Sequence, residues 1–135
     1  MSAKPLYGVR SSVNVTLNSL VDGAIADSTE YDNTTDLALS KIIEVNITGS
    51  NAAEAGSVAV YAKEGLLTGT LDTPDNLRLI GSVFLNGTTS VRSSLRYDSP
   101  TPFFKISFKQ RSSNSYSLGA SNNTAFILSE NIQDI

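Results

Sequence analysis

At 135 residues the chain has the length of one domain, enough to bury a core without disulfides or bound metal. It contains no histidine and no cysteine, which removes the usual neutral-pH general base, the thiolate nucleophile and the commonest ligands for transition metals. A net charge of −3 with scattered cations argues against nucleic acid, and no apolar run approaches the roughly 20 residues of a membrane-spanning helix.

Charged residues are only 17% of the chain, and Ser, Thr and Asn supply most of the polarity, a composition suited to strands and turns. The first residues, Met1 to Pro5, have no apolar signal-peptide core behind them, so nothing is expected to direct the chain to a secretory route. Residues 1–10 read as an N-terminal arm, in which Pro5, Leu6, Tyr7 and Val9 are apolar without strand alternation. From there the apolar residues fall into a period of two, the mark of half-buried strands. Val13, Val15 and Leu17 form the first such run. The longest follows, with Leu37, Leu39, Ile43, Val45 and Ile47 on one face, interrupted by Lys41. Val58, Val60 and Ala62 come next, with Ala59, Tyr61 and Lys63 opposite them. Leu77, Leu79, Val83 and Leu85 share a side of the following segment, and Ile80 and Phe84 make it apolar on both, which predicts an interior strand. Val91–Tyr97, Phe104–Phe108 and Phe126–Leu128 complete the series.

The breaks carry turn chemistry. Asn86-Gly87 predicts a two-residue hairpin, Thr73 to Asn76 a loop closed by Pro74 and Asp75, and 112–123 a mobile connector at a sheet edge. Seven to eight short antiparallel strands with regularly spaced turns predict an all-β, single-domain β-sandwich or jelly roll, or a small barrel, over residues 11–130. Residues 131–135 then form a C-terminal tail bearing Ile132 and Ile135.

The densest group of acids, Asp27, Glu30, Asp32 and Asp36, lacks the spacing and glycine of an EF-hand loop and reads as a solvated corner between strands. No Gly-x-Ser-x-Gly elbow or P-loop is present, a Ser-His-Asp triad is impossible without histidine, and no carboxylate pair is marked for glycosidase chemistry. The expectation is a protein that is not an enzyme and takes no cofactor and no metal. Interface residues are sought on the arm, the tail and one loop: Pro5, Leu6, Tyr7, Val9, Tyr116, Ile132 and Ile135. Terminal arms either dock back on their own domain or add a strand to a neighbour's sheet.

In its succession of segments the chain resembles small structural proteins of tailed-bacteriophage virions. The likeness runs from Val13–Leu20 and the long strand after Asp32-Asn33 through Val58–Ala62 and Asn76–Gly81. It is strongest in Phe104–Gln110 and Leu118–Leu128. The resemblance implies a capsid decoration (cement) protein on the exterior of the virion. Such a protein binds between subunits of the major capsid protein and to itself as a homo-oligomer such as a trimer, with its arms clasping neighbours. The alternatives are a tail or baseplate component, or a module binding host glycans through Tyr31 or Tyr116.

Overall fold

The alternating segments become strands of two facing antiparallel sheets. The computed structural model describes residues 3–34, 39–52, 55–69, 77–98, 100–112 and 116–134, and among these there are ten strands and no helix. They are β1 (Ala3–Tyr7), β2 (Ser11–Ser12), β3 (Ile25–Asp27), β4 (Tyr31–Asp32), β5 (Ser40–Ile47), β6 (Ala55–Gly65), β7 (Leu77–Asn86), β8 (Val91–Asp98), β9 (Phe103–Ser112) and β10 (Thr124–Asp134). One sheet has the order β1-β10-β5-β8 with β2 also on β10; the other has β3-β9-β6-β7 with β4 also on β9.

The topology is that of one long hairpin, rolled up. β6 and β7 pair at its tip, β5 pairs with β8, β3 and β4 pair with β9, and β1 and β2 pair with β10. Counting β1/β2 and β3/β4 as two interrupted strands leaves eight positions, four per sheet, which is the jelly-roll arrangement. Rolling adds the remaining pairings, β10 with β5 and β6 with β9.

Inward-facing residues follow from the two-residue period. Ile43, Val45 and Ile47 of β5, Val58, Val60 and Ala62 of β6, Phe104, Ile106 and Phe108 of β9, and Ala125 and Ile127 of β10 make one continuous core. Lys41, which breaks the apolar face of β5, is nearly buried and donates from Nζ to Ser129 Oγ at 2.6 Å.

Four sequence expectations change. Val13–Leu17 is a connector, although Val13 and Leu17 are buried; it carries the chain from one sheet to the other, so its alternation fills core while the Val13 amide still donates to the Ala125 carbonyl at 2.8 Å. Asn86-Gly87 does not close a hairpin, because β7 and β8 lie in different sheets. Only Gly87 has positive φ there (61°), whereas a type I′ turn requires it at both centres. The connector before β10 is anchored: Leu118 is buried and bridges Gly49. Finally, β7 is an edge strand. A bulge opposite Val60/Tyr61 pairs Val60 with Gly81 but Tyr61 with Leu79, skipping Ile80. That extra residue inverts the alternation, so Val83 and Leu85 point into the core while Leu77 and Leu79 point to solvent. Leu37, Asp36 and Thr73 to Asn76 lie outside the described residues.

Candidate functional site

The terminal residues singled out in the sequence come together on the backbone of one sheet edge. In β1 and β10, Pro5 is the register partner of Ile132, Leu6 of Asn131 and Tyr7 of Glu130. Of the two courses open to an arm, the chain takes docking on its own domain, and proline is tolerated there because β1 is an edge strand. Tyr7 and Val9 are exposed, at 56% and 88%. Ile135 lies outside the described residues.

Tyr116 is corrected from interface to core. It is fully buried, and its hydroxyl donates to the Gly87 carbonyl at 2.6 Å. A Cβ on Gly49 would lie 1.8 Å from that hydroxyl and 2.3 Å from the Gly87 oxygen, so the three loops at this end close on one another without space between them. Tyr31 is not a free platform either. It is half-buried and stacks on Phe104, with ring centroids 5.2 Å apart and planes 18° from parallel, and burial raises its phenol pKa.

The acid group disperses. Glu30 accepts from the Thr68 hydroxyl and, at 3.0 Å, from the Gly69 amide, and Asp32 caps the Thr34 amide at 2.9 Å. Asp27 accepts from Lys63 Nζ at 2.7 Å and Ser107 Oγ at 2.6 Å. Burial pulls the Asp27 pKa up, but the hydrogen bonds from Lys63 and Ser107, with the charges of Lys63 and Lys105, outweigh it and hold the carboxyl below its ordinary value. Among the described residues no three acids converge on a common point.

Three surface concavities among the described residues reach about 300 Å3. The smallest, about 310 Å3, lies beside the arm between Gly8, Val9, Tyr31, Asp32, Lys41 and Ser129. There Tyr31 is already stacked on Phe104 and Lys41 already donates to Ser129. The two larger ones lie elsewhere. The first, about 470 Å3, lies at the loop end between Asn46, Thr48, Ser90, Arg92, Ser121 and Asn122. Its polar groups engage one another: Arg92 Nε donates to Asn46 Oδ1 at 2.8 Å, and the Thr48 and Ser90 hydroxyls are 3.0 Å apart. No aromatic ring lines it among the described residues. It reads as the seam of a loop cluster.

The second, about 370 Å3, lies on the outer face of β3-β9-β6-β7 and is bordered by Ile25, Tyr61, Leu77, Ser107, Lys109 and Arg111. It is within the range of about 300–1,000 Å3 typical of small-ligand sites. The registers set out this face in rows across the sheet. One row is Asp27, Ser107, Tyr61 and Leu79; beside it run Ile25, Lys109, Ala59 and Ser82. Lys105, Lys63 and Leu77 flank them on one side, and Arg111, Ser57 and Phe84 on the other. Ile25 (52%), Leu77 (44%) and Leu79 (60%) are large apolar side chains left in water on the same face as the half-buried Tyr61, and Phe84 (75%) stands two rows along from it.

The outer face of the opposite sheet is different in kind. There the Arg10 guanidinium covers the Phe126 ring at 3.4 Å from its centroid and pairs with Glu44 at 2.8 Å, while Arg96 forks onto both oxygens of Glu130 at 2.8 Å. That face satisfies itself. The sequence places Tyr61 opposite Val58, Val60 and Ala62, and puts Leu77 and Leu79 on one side of a strand expected to be interior. Phe84, which with Ile80 makes the segment apolar on both faces and so predicts an interior strand, is instead exposed, and the bulge that re-aims the leucines has no signature in residue type.

No family model matches the chain, and no curated protein matches it. Solved structures do match. The CBM36-1 domain of a multidomain xylanase from the hindgut metagenome of Trinervitermes trinervoides superposes with a TM-score of 0.55 at 7% identity, covering 99% of this chain and 98% of that one. A CBM36 carbohydrate-binding module in complex with calcium and xylotriose gives 0.44 at 12% identity, covering 93% and 99%. The C-terminal CBM6 of LamC, a laminarinase from Zobellia galactanivorans, gives 0.44 at 10%, covering 97% and 100%. At these identities the likeness to the first establishes a shared β-sandwich fold, and the other two add no argument.

Proposed function

We propose that the chain is a non-catalytic glycan-binding module that holds saccharide against the outer face of β3-β9-β6-β7. The observation that carries this reading is the set of exposed Ile25, Leu77 and Leu79 beside Tyr61, with Phe84 farther along the same face, at a groove whose rim carries hydrogen-bonding side chains. A sugar ring presents C–H faces to flat apolar groups and hydroxyls to polar ones, and a tyrosine beside serine, lysine and arginine offers both. Several large apolar side chains exposed on one face mark it as a candidate contact surface. The shared sandwich fold supports the reading, since the similar domain is a carbohydrate-binding module. Isothermal titration with a panel of soluble oligosaccharides tests it: at least one is expected to bind the wild type and to lose binding on Tyr61→Ala. A panel with no binder contradicts the reading.

A place on a phage particle is a second reading, favoured by the likeness of segments in Phe104–Gln110 and Leu118–Leu128. In that case the partners are the major capsid protein and further copies of the chain, and contact does not rest on a free arm, because β1 is already paired with β10. Co-sedimentation with purified capsids tests it, and a chain left in the supernatant contradicts it.

A further inference from the structure

The groove has a sign as well as a shape. On its rows stand Lys63, Lys105, Lys109 and Arg111 against one carboxylate, Asp27, in a chain whose net charge is −3. Asp27 already holds Lys63 at 2.7 Å. Lys109 and Arg111 line the groove, and no carboxylate pairs with either among the described residues. On the opposite outer face Arg10 and Arg96 are both neutralised by a glutamate within 2.8 Å. Two cations with no carboxylate partner among the described residues, beside an aromatic ring and three exposed aliphatic side chains, therefore form a local exception on a chain of net negative charge.

From this we infer that the site selects acidic oligosaccharides, chains bearing uronate carboxylates or sulfate esters; the inference rests on the glycan-binding reading above. Residues 109 and 111 are two apart on one strand and so point to the same face, about 6.8 Å from one another along it. That spacing lets Lys109 and Arg111 meet acid groups on one short oligosaccharide whose ring lies on Tyr61. The arginine fork matches a carboxylate or sulfate through two parallel hydrogen bonds, stronger than those a neutral hydroxyl makes. Tyr61 and the neighbouring Ile25 and Leu77 supply the apolar floor that distinguishes a sugar ring from a plain polyanion.

The experiment is calorimetric titration of the full chain with hexagalacturonate, neutral xylohexaose and, as a polyanion without sugar rings, oligoglutamate. Hexagalacturonate is expected to bind, to weaken as salt is added, and to weaken about tenfold or more in the Lys109→Gln/Arg111→Gln double variant. Tyr61→Ala, or Leu79→Ser should the tyrosine variant fail to fold, is expected to weaken it too. Equal binding of xylohexaose and hexagalacturonate, both sensitive to Tyr61→Ala, overturns the acidic selectivity and leaves the glycan reading standing. Oligoglutamate binding as tightly as hexagalacturonate overturns the inference by showing a bare charge patch. No saccharide binding, together with a dimer in light scattering that Phe84→Ser converts to monomer, overturns both and assigns the face to a second copy of the chain.

Discussion

Single contacts decide the loop end. Tyr116→Phe removes the one donor reaching the Gly87 carbonyl from that ring, and the lost buried bond is expected to cost about 1–3 kcal/mol in urea unfolding. Gly49→Ala is expected to cost more than Tyr116→Phe, because the new methyl meets a backbone oxygen at 2.3 Å that a side-chain rotation does not relieve. If the alanine variant unfolds at the wild-type midpoint, the three-loop clamp is wrong. Asp27 gives a residue-scale pH dependence. Its folded pKa lies below the ordinary 3.8, so its contribution is complete above that value and is lost as pH falls through the lower folded pKa. The decline in stability of the wild type below about pH 3.8 is expected to be shallower in Asp27→Asn, measured by thermal unfolding across that range. An unchanged slope would show that the Lys63 and Ser107 contacts add nothing.

Among the elements, β7 is the one whose reading matters most. Leu79 and Val83 are four residues apart, an even separation that places them on one face of a regular strand. The bulge at Ile80 separates them: Leu79 is 60% exposed and Val83 is 1% exposed. Leu79→Ser is accordingly expected to change stability by no more than about 0.5 kcal/mol, whereas Val83→Ala costs about 2 kcal/mol. Equal losses in chemical denaturation would restore the regular strand and remove the leucines from the candidate site. β5, β6 and β9 were legible because their apolar residues keep one phase of the two-residue period against a single core, with Ile43, Val45 and Ile47 or Phe104, Ile106 and Phe108 all inward, and β8 follows the same period more weakly. What lacked alternation or broke its phase was not legible. β1 contains Pro5 and pairs through backbone with a segment more than a hundred residues away, so residue type carried no mark of the pairing. The Asn86-Gly87 step has the composition of a hairpin, but which sheet receives the next strand is decided by packing at long range. Tyr116 looked available because its neighbours are polar, and only the approach of Gly49 and Gly87 shows the pocket that encloses it.

Taken whole, the jelly roll separates its two outer surfaces by chemistry. Both come from the same two-residue period, yet on one the arginines cover phenylalanine and neutralise glutamates, and on the other apolar side chains and cations stand in water. The interior explains stability: Phe108→Ala, in a fully buried position facing both sheets' core residues, is expected to cost about 3–5 kcal/mol and to leave the outer faces chemically unchanged. The proposed function is placed on the exterior because the exposed apolar side chains and the cations stand together on that one face. The most direct measurement is a two-dimensional amide NMR titration of the labelled chain with hexagalacturonate. The account predicts shift changes confined to the amides around Ile25, Ser57–Lys63, Leu77–Phe84 and Ser107–Arg111. Changes centred on the loop end at Thr48, Ser90 and Ser121, or no changes while the oligosaccharide binds another chain control, would contradict it.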